Sequence, residues 1–110
     1  MTAQTTQPAS LPWLEKLVAI PTVSGSSNLE LIELLEAEFG RYGYSGVRTY
    51  NEDRTRANLF ITVPAANGTT RGGLVLSGHT DVVPVAGQDW ASDPFTLRVE
   101  GTRAYGRGVC

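Results

Sequence analysis

The hydrophobic period changes once along this chain, after Gly46, and that change most constrains the fold. Before Gly46, apolar residues recur at the spacing of amphipathic helices. After Gly46, short runs rich in β-branched and aromatic residues alternate with stretches that contain Gly, Pro and Asn, which is typical of strands joined by turns. The sequence therefore predicts an α/β fold in which two helices precede a mixed sheet.

Both helices are predicted in the first half of the chain. The first begins near Pro12, because proline is favoured in the first helical turn, and it ends before Pro21. The second is predicted to begin with a capping box formed by Ser27 and Glu30, and Gly43 supplies its stop. Its glutamates mostly lie opposite a wide apolar face, so we interpret them as a solvated surface.

Three strands and a hairpin are predicted in the second half, the strands within "GVRTY", "ANLFITV" and "GGLVLSG". The third strand, Leu74 to Ser77, is apolar on both faces, as expected of a central strand covered by helices on both sides. The segment "FTLRVEGTRAYGRG" alternates around a turn at Gly101 and predicts a C-terminal hairpin. Because an α/β layer normally carries helices on both faces, we expect the domain to be truncated.

The composition argues against several classes of function. Nine Lys and Arg against eleven Asp and Glu give a net charge of −2, and the basic residues are scattered singly. Neither a nucleic-acid surface nor a membrane-binding helix is indicated. The only cysteine is Cys110, which excludes an intramolecular disulfide, and residues 1–10 do not resemble a signal peptide. We therefore expect a cytoplasmic protein with a disordered N-terminus, residues 1–10, and a folded segment, residues 11–110.

The single histidine follows the third predicted strand, in the stretch "SGHTDVV". Residues two apart in an extended segment point to the same side, so His79 and Asp81 share a face and Thr80 points away. The Asp81 carboxylate can then orient the imidazole and raise its basicity for a metal at the other ring nitrogen. Gly78 leaves room for a metal or substrate near the backbone. Strand ends are also where open α/β sheets bind ligands.

The spacing alone leaves a purely structural interpretation open, because a histidine beside a carboxylate at a strand end is often only a satisfied polar residue. A zinc site needs roughly three or four protein donors. One histidine and one terminal cysteine leave only carboxylates to complete such a set. Either the metal interpretation is wrong or the remaining ligands lie outside this sequence.

The stretch from Leu74 to Cys110 resembles the dinuclear zinc amidohydrolases, a family that includes acetylornithine deacetylases, succinyl-diaminopimelate desuccinylases, aminoacylases and related carboxypeptidases. Four motifs of this family occur in the same order at Gly78 to Pro84, Trp90, Asp93-Pro94-Phe95 and Gly106-Arg107-Gly108. The opening segment, "LEKLVAIPTVSGSSNLELIELLEAEFGRYG", is most similar to that of the acetylornithine deacetylases. The resemblance extends from about Leu11 to the end of the chain.

The resemblance implies the N-terminal portion of a zinc-peptidase-like catalytic domain. It makes His79 a ligand to one of two zinc ions, which Co²⁺ can replace, and Asp81 the catalytic carboxylate that holds the histidine ring. The implied reaction is hydrolysis of the N-acetyl amide of N2-acetyl-ornithine to ornithine and acetate, in arginine biosynthesis. In the family, a metal-bridging aspartate follows the G-R-G motif and a glutamate is the general base. The full site is therefore not expected within this chain, and substrate-binding residues stay unassigned.

Two alternatives to this function stay open. The enzymatic alternative is a succinyl-diaminopimelate desuccinylase or another N-acyl-amino-acid amidohydrolase. The non-enzymatic alternative is a truncated, non-catalytic fragment that is inert or associates with a partner through unpaired strand edges. For a full-length enzyme the resemblance implies a small N-acyl amino acid as substrate, a homodimer, and no nucleic-acid or membrane partner; the oligomeric state of this chain stays open.

The other motif residues have structural interpretations. Trp90 and Phe95 are expected to pack in the core or a loop. Gly106 and Gly108 are expected to meet backbone requirements. Arg107 is expected to pair with a nearby carboxylate.

Overall fold

A computed structural model of the protein describes residues 7–109. Within that range the secondary-structure elements are α1 (Leu11–Ala19), α2 (Leu29–Arg41), β1 (Gly46–Tyr50), β2 (Ala57–Ile61), β3 (Arg98–Glu100) and β4 (Arg103–Tyr105). The strands form two antiparallel two-stranded sheets, β1–β2 and β3–β4. The α/β class, both helices and the C-terminal hairpin are thus confirmed, whereas the single mixed sheet is replaced by two small sheets.

The predicted disordered N-terminus, residues 1–10, and the predicted folded segment, residues 11–110, both include residues that the structure does not describe. Residues 1–6 and Cys110 lie outside the described residues. Residues 7–10 are exposed, and a turn there leads into α1, where the Leu11 N–H donates to Pro8 O at 3.0 Å. Among the described residues, neither helix is long and apolar enough to cross a membrane.

The chain divides into two compact units, of which the first contains the described residues of Met1–Val23 and Val82–Cys110. Helix α1 has a proline in its first turn, where the missing N–H costs no helical hydrogen bond, and it buries Val18. After the helix, Val23 forms a parallel bridge with Val82, and the Val82 N–H donates to the buried Thr22 O at 2.9 Å. The β3–β4 hairpin completes this unit.

The second unit, Ser24–Asp81, is built on α2 and the β1–β2 hairpin. Leu31 and Ile32 of α2 are buried, as is Ala57 at the start of β2. The helix ends as predicted at a glycine: Gly43 has φ +82°, and its N–H donates to Gly40 O at 3.0 Å. Glycine reaches this left-handed conformation without a steric penalty.

The predicted capping box at the start of α2 is wrong. The residue before the helix is Asn28 rather than Ser27, and the Asn28 side chain makes no cap hydrogen bond. Instead its amide group donates to Ala57 O and accepts from Ala57 N, both at 2.9 Å. Ser27 Oγ accepts a hydrogen bond from Leu29 N at 3.3 Å. The side chain that could cap the helix is thus used to attach the helix start to β2.

One glutamate of α2 is also not part of a simple solvated surface. The Arg48 guanidinium of β1 donates through Nε to Glu36 Oε1 at 2.7 Å and through Nη2 to Oε2. Both side chains are only partly exposed, at 22% for Arg48 and 29% for Glu36. The hydrogen bond from Arg48 holds the pKa of the Glu36 carboxyl below its usual value. This bidentate pair connects the helix to the sheet within the unit.

The third predicted strand is not formed. Residues 74–77 make no ladder with any other described segment, and Leu74, Val75 and Leu76 are 85%, 74% and 87% exposed. A central strand requires neighbours on both edges and a cover on both faces. Within residues 7–109 no such neighbours lie against this segment. The apolar pattern therefore indicates that residues 74–77 are suited to a central strand. It does not indicate whether neighbouring strands are present.

Candidate metal-binding site

The contact that the spacing of His79 and Asp81 predicts is present at the end of the second unit. His79 Nδ1 lies 2.9 Å from Asp81 Oδ1 and 3.0 Å from the Asp81 backbone oxygen. Both side chains are open to solvent, at 85% exposed for His79 and 62% for Asp81. A Cβ atom added at Gly78 would meet nothing within 4 Å, so the space beside the Gly78 backbone is open.

The two acceptors at Nδ1 determine the tautomer of the imidazole. A backbone carbonyl oxygen and an ionised carboxylate can only accept hydrogen bonds. The Nδ1 atom must therefore carry the proton that both acceptors share. In the neutral ring the lone pair then lies on Nε2, and this atom makes no hydrogen bond within residues 7–109. This is the arrangement in which a histidine ligates a metal through Nε2 while a carboxylate orients it.

Ser24 is a third member of this cluster, and sequence reasoning missed it. Its hydroxyl donates to Asp81 Oδ2 at 2.8 Å, on the carboxylate oxygen that His79 does not use. Hydrogen bonds from Ser24, and secondarily from His79, hold the pKa of the Asp81 carboxyl below its usual value. The only sequence signal for Ser24 is a small polar residue in the T-V-S loop, 57 positions away from Asp81. Ser24 follows Val23 and Asp81 precedes Val82, the two residues that the parallel bridge joins.

The cluster fits one metal ligand but does not complete a metal site. His79 Nε2 is an exposed nitrogen donor of the kind that zinc accepts. Residues 7–109 contain no group of three or more His, Cys, Asp or Glu side chains that could hold a metal together. The Asp81 oxygens already accept hydrogen bonds from Ser24 and His79. The described residues therefore supply one exposed nitrogen donor and the groups that orient it.

The remaining motif residues lie in the first unit and have structural roles. Arg107 does not pair with a carboxylate among the described residues; its guanidinium lies over the Trp90 ring, 4.9 Å from the centroid, and donates to Gln88 Oε1. The Arg107 N–H donates to Pro94 O at 2.7 Å. Trp90 and Phe95 are partly buried, in agreement with packing roles.

The two glycines of the G-R-G motif meet close contacts. A Cβ atom at Gly106 would lie 3.0 Å from Val18 Cγ1. At Gly108 it would lie 2.7 Å from Val82 Cγ1, and this glycine has φ +84°. The interpretation of both residues as backbone requirements therefore agrees with their surroundings.

Comparison with known proteins finds one family and several enzymes to which this chain is similar. The profile of the peptidase family M20/M25/M40 matches residues 75–110. Acetylornithine deacetylase of Yersinia pestis is 36% identical over 101 residues, which cover 84% of this chain and 26% of that enzyme. Over residues 75–110 the chain is therefore similar to the peptidase family M20/M25/M40. Acetylornithine deacetylase of Klebsiella pneumoniae (strain 342) is 37% identical over 100 residues, 84% of this chain and 25% of the enzyme. That of Proteus mirabilis (strain HI4320) is 35% identical over 109 residues, 93% of this chain and 27% of the enzyme.

The similarity to the M20/M25/M40 family indicates which kind of site His79 and Asp81 are to be compared with. Enzymes of this family generally use zinc and act on amino-acid derivatives. The chain spans about a quarter of the length of the curated relatives it matches, 26% in the case of the Yersinia enzyme. The profile match includes His79 and Asp81 together with the whole G-R-G segment.

Proposed function

We propose that this chain contributes a histidine ligand to the dinuclear zinc site of a deacetylase that hydrolyses the N-acetyl amide of N2-acetyl-ornithine to ornithine and acetate. The observation that carries the proposal is the contact of His79 Nδ1 with Asp81, which leaves Nε2 as an exposed donor. The relatives named acetylornithine deacetylase support the substrate. The proposed enzyme is a cytoplasmic homodimer, and its arginine-biosynthetic role follows from the substrate.

In this proposal His79 holds one metal ion through Nε2, and Asp81 acts on that metal only through the ring. The carboxylate accepts the Nδ1–H hydrogen bond and stabilises the positive charge that ligation places on the imidazole. The open space beside the Gly78 backbone is available to the substrate in this proposal. When bound, zinc supplies Lewis-acid polarisation of the amide carbonyl and lowers the pKa of a water molecule. The other ligands, the general base and the residues that grip the substrate are expected outside residues 7–109.

The acyl group of the substrate distinguishes the proposed function from its enzymatic alternative. Relatives named for one substrate at 36% identity support that substrate without deciding it against a near analogue. The enzymatic alternative therefore remains hydrolysis of N-succinyl-diaminopimelate or another N-acyl amino acid. The non-enzymatic alternative, an inert chain, is favoured by the lack of a three-ligand group among the described residues.

A chimeric enzyme tests these alternatives directly. The 101 matched residues of the Yersinia pestis enzyme are replaced by the corresponding part of this chain, and hydrolysis of acetyl-ornithine and succinyl-diaminopimelate is measured. We expect turnover of acetyl-ornithine, and a loss of about a hundredfold or more in kcat/KM in the His79→Ala chimera, since even partners of a ligating histidine cost up to about that much. The exposed Asp89→Asn serves as the matched control.

The outcomes separate the three functions. Turnover of the succinyl substrate alone would replace the proposal by the enzymatic alternative. A folded chimera that hydrolyses neither substrate, beside an active Yersinia enzyme, would favour the inert chain. Equal activity of the chimera with and without His79 would reject the proposed role of the histidine.

A further inference from the structure

We infer that Ser24 is a positioning residue for His79 and acts through the Asp81 carboxylate. The inference deepens the proposed function and rests on it, because it concerns the presentation of the same ligand nitrogen. Ser24 Oγ donates to Asp81 Oδ2 at 2.8 Å, and His79 Nδ1 donates to Asp81 Oδ1 at 2.9 Å. The two carboxylate oxygens are therefore held by two different residues.

This division of the two oxygens restricts the carboxylate. A carboxylate with one anchored oxygen can still rotate about its Cβ–Cγ bond, whereas rotation with both anchored breaks at least one hydrogen bond. Both bonds have an ionised acceptor and belong to the stronger class of protein hydrogen bonds. The Ser24 hydroxyl therefore sets the plane of the carboxylate, and the carboxylate sets the direction of the imidazole ring.

Solvent exposure makes this constraint necessary. The side chains of His79 and Asp81 are 85% and 62% exposed, so packing cannot set their rotamers. The other contact of Nδ1 is the backbone oxygen of Asp81 at 3.0 Å, only two residues along the chain. The contact from Ser24 comes from a distant part of the sequence, 57 positions away from Asp81. Its removal should loosen the ring without releasing it, because the backbone acceptor remains.

The neighbouring serines of the same loop provide a matched control. Ser27 Oγ accepts from Leu29 N at the start of α2, so its substitution would disturb the helix. Ser26 is exposed and makes no hydrogen bond with the other described residues. Ser26→Ala therefore repeats the chemical change of Ser24→Ala in the same loop without touching Asp81.

The experiment uses the single histidine of the chain. In the metal-free 110-residue protein, a long-range ¹H–¹⁵N NMR spectrum contains one imidazole, so both ring nitrogens are assigned without ambiguity. The spectrum is recorded at about pH 9, above the ordinary imidazole pKa of about 6.5, so that the neutral tautomers are compared. We expect Nδ1 to carry the proton in the unsubstituted chain. In Ser24→Ala the ratio of the Nδ1–H to the Nε2–H tautomer should fall by about two- to tenfold, the factor of one hydrogen bond of modest net strength.

Conservative variants distinguish positioning from a general structural role. Ser24→Thr keeps the hydroxyl and should retain the tautomer ratio, whereas Ser24→Val has the same shape without the hydroxyl and should lower it. Ser26→Ala should leave the ratio unchanged. The Thr and Val pair keeps the comparison valid if Ser24→Ala disturbs the fold, which backbone amide shifts of α2 and β1 report.

The result that overturns the inference is an unchanged ratio in Ser24→Ala, or equal ratios in Ser24→Thr and Ser24→Val. This readout needs neither zinc nor turnover. A changed ratio therefore supports the role of Ser24 independently, while the chimeric enzyme decides the proposed function separately.

Discussion

At the scale of a single residue, two separate features of the structure require glycine at position 108. Its φ of +84° lies in the left-handed region, and a Cβ there would approach Val82 Cγ1 to 2.7 Å. The positive φ is a property of the Gly108 backbone itself. The close contact involves the side chain of Val82, which is β-branched and has little freedom to rotate. Gly87 in the same unit has φ +73° but would meet nothing within 4 Å. The pair allows backbone strain to be separated from the close contact.

We expect Gly108→Ala to destabilise the first unit more than Gly87→Ala. Left-handed backbone costs a residue with a Cβ about 1–2 kcal/mol. Overpacking against Val82 adds about 1–3 kcal/mol at Gly108 alone. Urea unfolding followed by tryptophan fluorescence measures both variants, since Trp13 and Trp90 belong to this unit. Equal destabilisation of the two variants would show that the close contact with Val82 does not contribute to the free energy of unfolding.

At the scale of elements, α2 is attached to the β1–β2 hairpin at two places by side chains. Asn28 holds the backbone of Ala57 with both polar atoms of its amide, and Glu36 accepts a bidentate pair from Arg48. The first attachment is neutral, and the second depends on the ionisation of Glu36. Stability of the second unit should therefore depend on pH through Glu36.

The sign of that dependence follows from the lowered pKa of Glu36. A carboxyl whose folded pKa lies below its unfolded value, ordinarily about 4.5, stabilises the fold above that value and loses the effect as pH falls through the folded pKa. We expect Glu36→Gln to lower the urea midpoint at about pH 7, and we expect this difference to shrink as pH falls below the ordinary value of about 4.5. Circular dichroism measures the midpoint, with the exposed Glu33→Gln as control. A Glu36→Gln difference that persists unchanged at low pH would contradict this role.

At the scale of the whole molecule, the most informative feature is the exposed apolar segment before the candidate site. Leu74, Val75 and Leu76 are almost fully exposed although the pattern is that of a covered strand. An unpaired apolar strand offers backbone groups and side chains to other chains. The isolated chain should therefore associate without specificity as its concentration rises.

A single charge tests whether this segment drives the association. We expect Val75→Lys to reduce the weight-average mass measured by static light scattering, because a charge opposes strand pairing at an open edge. Ala66→Lys adds the same charge at an exposed turn and should change the mass much less. Equal reductions by both variants would assign the association to net charge rather than to residues 74–76.

Local features of the fold were predictable from sequence, and long-range ones were not. The hydrophobic periods predicted both helices, β1, β2 and the hairpin, and a spacing of two residues predicted the contact of His79 with Asp81. The role of Ser24 depends on a contact across 57 positions, which no local pattern encodes. The predicted capping box of Ser27 and Glu30 was wrong for a related reason: the helix begins after Asn28, whose side chain binds the backbone of the distant Ala57. The exposure of Leu74 depends on whether other strands and helices lie against it. The local sequence pattern does not contain this information.

The zinc content of the chimeric enzyme tests whether His79 ligates a metal through Nε2. Inductively coupled plasma mass spectrometry should find about two zinc ions per chain in the unsubstituted chimera, as in two-metal hydrolases. The His79→Ala chimera should retain about one, and the Asp89→Asn control should retain both. Full zinc content in His79→Ala, with the fold intact, would contradict the claim that this histidine is a metal ligand.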